Sequence, residues 1–196
     1  MRWDLLFDDL ESQLDQEQRD EERALAIEEE RLRLSRLTLR DRLSAIARSV
    51  SDDAVAIELH GGRTISFRPQ VFGRDWVSGR SAEPGQGGAQ CVVPIAAIAA
   101  VLPTRAQLDP SLESVPEASA RIAERIGLPF VLRDLCRRRT PVRLCTIDGE
   151  VHGTIDRVAR DHLDLALHDA DRPRRDNAVH GYRIVPLARL LVVDFR

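Results

Sequence analysis

The sequence contains no lysine, so all 29 of its basic residues are arginine. Aromatic residues make up only 4% of the chain, and no apolar run has the length of a membrane span or of a signal sequence. We therefore expect a protein that is neither exported nor inserted into a membrane and that works in the cytoplasm. Because surface charge mostly solvates a protein, the absence of lysine favours a compositional bias over selection at a binding site.

Patterns typical of metal binding and catalysis are also missing. The three cysteines, Cys91, Cys136 and Cys145, have no Cys-x-x-Cys spacing, and the five histidines complete no zinc pattern. We find no nucleophile with a plausible base and no glycine-rich phosphate loop. The sequence thus predicts no metal, no cofactor and no enzymatic activity. Two of the cysteines lie in apolar strand patterns, where they are expected to pack as small apolar side chains in a reducing compartment.

Charge is distributed unevenly along the 196 residues. With 43% hydrophobic and 31% charged residues and a net charge of −3, the composition is that of a soluble globular protein. Residues 1–31 hold twelve acidic residues against four arginines, whereas the remainder holds 25 basic and 20 acidic residues. The length allows one ordinary domain or two small ones.

The acidic N-terminal stretch predicts one long helix over residues 3–35. An apolar stripe covers its first three turns at helical spacing and is formed by Trp3, Leu6, Phe7, Leu10 and Leu14. Between Asp15 and Arg23 the stripe gives way to charge. Two interpretations are open: the stripe docks on a partner protein or a second copy, or it folds back onto the chain's own strands.

Four segments follow from the pattern of apolar periodicity and turn residues. They are an acidic helix over 1–36, a strand-rich unit over 37–102 that opens with a short helix at 37–48, a linker over 103–128, and a second strand-rich unit over 129–196. The linker begins with residues 103–113, which include Pro103 and Pro110. A short helix then begins near Ser114 and stops at Gly127.

The two strand-rich units repeat one pattern. The closing run Val93-Pro94-Ile95-Ala96 recurs as Val185-Pro186-Leu187-Ala188, and the tight turn at Gly62 recurs at Gly149. The clearest β-meander is 142–167. Its alternation predicts that Leu163, Leu165 and Leu167 point inward and that Asp164 and His168 point outward. The repeat indicates an internal duplication of a unit large enough for one small β-barrel, with Pro94 at a strand end or sharp corner.

The second unit resembles the Sm-like family. The run from Arg139 to Gly149 and on through Ile155 is similar to the corresponding run of the bacterial Sm-family RNA chaperone, with Gly153 in the second strand. The resemblance implies a mainly β chain with helices: two tandem five-stranded Sm-like barrels, each preceded by a short helix, plus the long N-terminal helix. The opening residues joined to such a duplicated unit also resemble a group of uncharacterised actinobacterial proteins.

The Sm-like resemblance does not by itself imply RNA binding. Sm-like proteins bind RNA as rings of six or seven barrels, but the RNA-contacting signatures of the family have no counterparts in this sequence. We therefore expect a non-enzymatic interaction module, either an adaptor or an assembly element. Such a module would recruit protein partners or a second copy through the N-terminal stripe or through exposed strand edges.

An RNA- or DNA-binding regulator is the alternative, in which clustered arginines follow a phosphate backbone. The candidate residues are Arg137, Arg138 and Arg139 at a helix end and Arg172, Arg174, Arg175 and His180 in a loop. Tyr182 beside that loop has a ring that would stack on a base, but core packing is the stronger expectation for it. Aspartates interrupt the loop, and arginines at a helix end also stabilise the helix dipole.

Overall fold

The computed structural model describes residues 3–49, 54–82, 88–114, 125–169 and 178–195, with side chains from residue 13 onward. The chain divides into two compact units, Met1–Thr38 and Leu39–Arg196. The first unit is a single helix, α1, Trp3–Ser35, which confirms the predicted long helix. Its described side chains are mostly exposed, and pairs such as Arg33 and Glu30 bridge successive turns.

The second unit contains three helices and ten strands among its described residues. The helices are α2 (Leu39–Arg48), α3 (Arg105–Leu108) and α4 (Leu128–Arg137). The strands are β1 (Val55–Leu59), β2 (Thr64–Phe72), β3 (Trp76–Ser81), β4 (Gln90–Pro94), β5 (Ile98–Leu102), β6 (Pro141–Thr146), β7 (Gly149–Val158), β8 (His162–Leu167), β9 (Gly181–Pro186) and β10 (Leu190–Phe195).

All ten strands belong to one open antiparallel sheet, in the order β5-β1-β2-β3-β4-β10-β6-β7-β8-β9. We call β1 to β5 the first half and β6 to β10 the second half. The two halves meet where β4 pairs with β10, and we call this pairing the junction. A mainly β chain with helices was predicted and is confirmed, but the strands form a single open sheet rather than two separate sheets.

The strands follow from simple alternation and from glycine at the turns. In β1, Val55, Ile57 and Leu59 are fully buried, and the residues between them are partly exposed. Gly61 and Gly62 then adopt φ values of +92° and +83°, which are accessible to glycine and rarely to other residues. The chain can therefore turn sharply into β2, as the sequence predicted.

The two halves share fine details as well as strand order. The register with the next strand shifts between Pro69 and Val71 in β2 and between Ile155 and Arg157 in β7. Pro94 ends β4, as expected from the sequence, and a short 3₁₀ turn follows it; Pro186 ends β9 in the same way. Because a proline lacks an N–H to donate to the ladder, it ends the strand at the same point in each half.

Two hydrophobic cores interlock at the junction. The core of the first half also includes Cys145 and Val192 from the second half. The core of the second half also includes Trp76 and Val92 from the first half. Each half thus completes the core of the other, and we expect the two halves to fold as one cooperative unit.

The first part of the linker contains α3 and a 3₁₀ turn, Pro110–Leu112. This turn packs on α2, where the Arg42 guanidinium donates hydrogen bonds to the Ser111 hydroxyl at 2.8 and 3.2 Å. Gly127 directly precedes the first turn of α4. Residues 115–124, where the linker helix was predicted, lie outside the described part of the chain.

His168 differs from its prediction, because it is buried rather than turned outward. Its Nε2 lies 2.8 Å from the Thr154 hydroxyl and its Nδ1 lies 3.0 Å from the carbonyl oxygen of Asp169. The strand β8 ends at Leu167, so strand alternation no longer determines which way the next side chain points. The predicted inward positions of Leu163 and Leu165 are confirmed.

Candidate functional site

The junction shows how one strand edge of this protein is covered by another. Val92 of β4 lies opposite Val193 of β10, and Cys91 lies opposite Asp194. Val92 is only 1% exposed, because it joins the core of the second half. The pairing therefore satisfies the backbone groups of β4 and buries its outward-facing side chain at the same time.

Four charged residues beside the junction form what we call the junction cluster: Arg63, Arg143, Glu150 and Asp194. Arg143 donates from Nε and Nη2 to one Asp194 oxygen at 3.0 and 2.7 Å. Its Nη1 also lies 3.5 Å from Glu150. Arg63, from the first half, forms an ion pair with Glu150 of the second half. The cluster therefore links the two halves in addition to the strand pairing.

The environment of the cluster shifts the pKa values of its acids in opposite directions. The hydrogen bond from Arg63 lowers the pKa of Glu150. Burial raises the pKa of Asp194, although hydrogen bonds and the charge of Arg143 oppose that rise. Burial also raises the pKa of the Cys91 and Cys145 thiols to about 12. Both thiols are therefore protonated at neutral pH and are poor nucleophiles.

A second set of contacts joins the first half to α4. The Asp75 carboxylate accepts a hydrogen bond of 2.7 Å from the backbone N–H of Leu128, at the start of α4. The Trp76 indole N–H donates to the carbonyl oxygen of Ile126 at 2.9 Å. A carboxylate at this end of a helix satisfies a free N–H and interacts favourably with the helix dipole.

The outer edges of the sheet, β5 and β9, contrast with the junction. Among the described strands, β9 pairs with β8 alone and β5 with β1 alone. Tyr182 and Ile184 of β9 are 71% and 72% exposed, and Leu102 of β5 is 45% exposed. Large apolar side chains on an open strand edge are typical of a surface that pairs with another strand.

The repeated pattern gives each edge residue a counterpart at the junction. Aligning Val93-Pro94 with Val185-Pro186 makes Ile184 the counterpart of Val92. By the same spacing, Val101 of β5 is the counterpart of Val193 in β10. The side chain at the position of Ile184 is thus buried in the junction and exposed at the outer edge.

The arginines predicted at the end of α4 are engaged with carboxylates. Arg137 and Arg138 both form ion pairs of 2.7 Å with Asp134. Arg139 forms an ion pair of 2.7 Å with Asp156. Neighbouring acids therefore neutralise much of the positive charge that would attract a phosphate backbone.

The other predicted nucleic-acid residues fall at or before β9. The side chain of His180 is exposed, and its backbone N–H donates to the Leu167 carbonyl. Tyr182 was expected to pack in the core, but it is exposed because β9 has no strand beyond it on that side among the described strands. Arg172, Arg174 and Arg175 lie outside the described residues.

The predicted N-terminal stripe is described only in part. Leu14 has a side chain that is 61% exposed. The other four stripe residues, Trp3, Leu6, Phe7 and Leu10, lie in α1, and their side chains are outside the described part. The idea that this stripe contacts a partner stays a prediction.

Sequence reasoning missed the junction cluster and Ile184. One signal was present, because Asp194 is a lone acid in the apolar strand Leu190–Phe195, and a charge in such a run needs a partner. No comparable signal marked Ile184. Its role depends on which strand lies beside β9.

Within the described residues, no three histidine, cysteine or acidic side chains are grouped so as to hold a metal ion. None of the helices in the described ranges has the length and apolar character needed to span a membrane. Comparison with protein-family models, with curated proteins and with solved structures finds no match for the chain.

Proposed function

We propose that this protein is a non-enzymatic assembly module that associates through the open edges of its sheet. The observation that carries the proposal is the edge strand β9, where Tyr182 and Ile184 are exposed and no further strand of the described ranges pairs beside them. An open edge with apolar side chains is a template for strand addition. Covering a side chain such as Ile184 contributes about 1.5–3 kcal/mol.

The partner in this proposal is a second copy of the chain. Within one chain, the fourth strand of the first half pairs with the fifth strand of the second half. Among the described strands, the two at the ends of the sheet are the complementary ones, β5 and β9. If β9 of one copy pairs with β5 of the next in the same register, Ile184 lies opposite Val101. Such a head-to-tail contact builds a ring if it closes and a filament if it does not.

The proposal includes the Sm-like resemblance and the internal duplication. Three correspondences support both: the strand order within each half, the register shifts in β2 and β7, and the Val-Pro end of the fourth strand. In this view the junction corresponds to a contact between two copies that the duplication has placed within one chain. The proposed compartment of the protein is the cytoplasm. Fold alone does not carry function, so the exposed edge remains the main support.

Sedimentation velocity of the full chain over a wide concentration range tests self-association. We expect species larger than a monomer that grow with concentration. The double variant Tyr182→Ser, Ile184→Asp should raise the dissociation constant by about 100-fold, because a charge and a polar group replace the apolar surface. The matched control is Phe130→Ser, which changes an exposed aromatic residue of α4 and should associate like the wild type.

Two outcomes would contradict the proposal. One is a wild-type chain that sediments as a monomer at every concentration. The other is a double variant that associates as strongly as the wild type while circular dichroism shows both to be folded.

Nucleic-acid binding is a second candidate because Tyr182 is exposed rather than buried, and an exposed ring is available to stack on a base. The affinity of the full chain for single-stranded RNA and DNA at 50 and 200 mM salt tests it, together with Tyr182→Ala. Tight binding at low salt that weakens steeply with added salt would support this candidate. No binding at low salt would remove it.

A further inference from the structure

We propose that Arg183 of one copy and Glu58 of the next form an ion pair that fixes the register of the contact between copies. The inference rests on the proposed head-to-tail association and adds the residues that make it specific. Arg183 and Glu58 occupy, at the outer edges, the positions that Cys91 and Cys145 occupy at the junction.

The cavity at the junction identifies the two positions. Cys91 of β4 and Cys145 of β6 both line one small cavity, together with Arg143 and Asp194. The counterpart of Cys91 in β9 is Arg183, by the spacing from the Val-Pro pair. Two residues that meet in one cavity at the junction would therefore meet again between copies.

The counterpart of Cys145 follows from the strand registers. Val55 pairs with Phe67, and Val142 pairs with Gly153, at the same place in each half. Counting three residues on from each valine makes Glu58 the counterpart of Cys145. The two cysteines of the junction are thus replaced, at the outer edges, by one arginine and one glutamate.

The positions of Asp194 and Arg143 change in the opposite sense, from charged residues at the junction to apolar residues at the outer edges. The counterpart of Asp194 is Leu102, and the counterpart of Arg143 is Ala56; these two residues lie opposite each other in the pairing of β5 with β1. The contact between copies would therefore lose the Arg143–Asp194 ion pair. Arg183 and Glu58 restore one charge of each sign at the same site.

Both residues are available for such a pair. Among the described residues, neither side chain has a hydrogen bond or an ion pair. Arg183 is exposed and Glu58 is partly exposed. In the associated state β9 and β1 would be separated by two inter-strand spacings, about 10 Å. The two long side chains can span this distance together.

An ion pair at this place would select the register more than it would add affinity. A shift of β9 by one residue would place Arg183 on the other face of the sheet. A like-charge pair at the same place would oppose association. Charge reversal at either position is therefore expected to weaken association, and reversal at both is expected to restore it.

The experiment measures self-association of the full chain for Arg183→Glu, for Glu58→Arg and for the double variant. Each single variant should raise the dissociation constant by about 10- to 100-fold, and the double variant should return to within about 3-fold of the wild type. Arg160→Glu is the matched control, because Arg160 is an exposed arginine in the turn before β8 and should not change association.

Mixing the two single variants gives an independent readout. In a solution of either single variant alone, residues 183 and 58 carry the same charge at every contact between copies. In the mixture, a contact between one variant and the other brings opposite charges together. We expect the equimolar mixture to associate at concentrations where neither variant does alone. The ion pair is refuted if wild-type protein associates while the double variant and the mixture stay as weak as the single variants. A wild-type chain that never associates would instead overturn the proposed function itself, and the inference with it.

Discussion

The strands β4 and β9 occupy the same place in their two halves, yet one is covered and the other is open. Both end in a Val-Pro pair followed by a short 3₁₀ turn. Val92 of β4 is buried against β10, whereas its counterpart Ile184 is exposed. The difference lies in the neighbouring strand and not in the strand itself. The same position in the strand is therefore buried or exposed according to which strand lies beside it.

The two halves also differ in how they fill the core beneath their second strand. Phe67 of β2 is fully buried at the position where β7 has Gly153. In the second half a Cβ on Gly153 would lie 2.2 Å from the carbonyl oxygen of Ala166. The backbone of β8 therefore occupies the space that a side chain at this position would need. In the first half the glycine that allows two strands to approach closely lies in β3 instead of β2. A Cβ on Gly79 would lie 2.0 Å from the Arg68 carbonyl oxygen of β2.

The largest effect should come from emptying the core of the first half. Phe67→Ala removes a buried ring and leaves a cavity, and we expect it to lower the free energy of unfolding by about 3–5 kcal/mol. Urea denaturation measures the loss. Phe130→Ala, which truncates an exposed ring, should change the free energy by less than about 0.5 kcal/mol. Equal losses would show that Phe67 is not a core residue of the first half.

The next largest effect compares the loss of a partly buried ion pair at the junction with the loss of an exposed ion pair. Asp194→Ala leaves Arg143 partly buried without its bidentate partner and should cost about 3 kcal/mol of unfolding free energy. Asp148→Ala breaks a similar two-bond contact with Arg189, but that contact is exposed, so it should cost less than about 1 kcal/mol. If the two variants lose the same free energy, the junction cluster does not hold the halves together.

Replacing the glycines at the close strand contacts should cause a smaller loss of unfolding free energy, of similar size in the two halves. Gly79→Ala and Gly153→Ala each force a methyl group against backbone and should each cost about 2 kcal/mol. Gly181→Ala is the control, because its Cβ would meet Leu167 at an ordinary 3.6 Å. Thermal and urea unfolding measure all three variants. A neutral Gly153→Ala would mean that β7 and β8 do not approach as closely as described.

The smallest effect is the acid dependence of the junction. Because Arg63 lowers the pKa of Glu150, the folded state favours the ionised carboxylate. That stabilisation is fully present above the usual pKa of 4.5, and it is lost as the pH falls through the lowered value. Glu150→Gln should therefore lose less stability on acidification than the wild type. An identical pH profile for the two proteins, measured by urea unfolding between pH 3 and 7, would contradict this.

Features that depend on local spacing could be predicted from the sequence. The bounds of α1, the end of α2 and the tight turn at Gly62 all followed from periodicity and from glycine. Pro94 was correctly expected at a corner. These features need only the chain within a few residues, because side-chain direction and φ are set locally.

Features that depend on distant neighbours could not be predicted in the same way. The first turn of α4 is stabilised by Asp75, which lies 53 positions before Leu128 in the chain and accepts its backbone N–H. His168 is buried because Thr154 and the Asp169 carbonyl satisfy both of its ring nitrogens. The arginines at the end of α4 were found correctly as a cluster, but their ion pairs with Asp134 and Asp156 were not foreseen.

The residue pattern was enough to predict the long N-terminal helix, the main strand alternation and the tight turns, and it shows the same motif in both halves of the chain. The folded sheet was needed to show that β10 covers β4 and that no described strand covers β9. The physical reason is that alternation tells which face of a strand a side chain points to, but the identity of the neighbouring strand depends on how the whole sheet is ordered. The surface on which the proposed function depends is therefore a property of the assembled sheet.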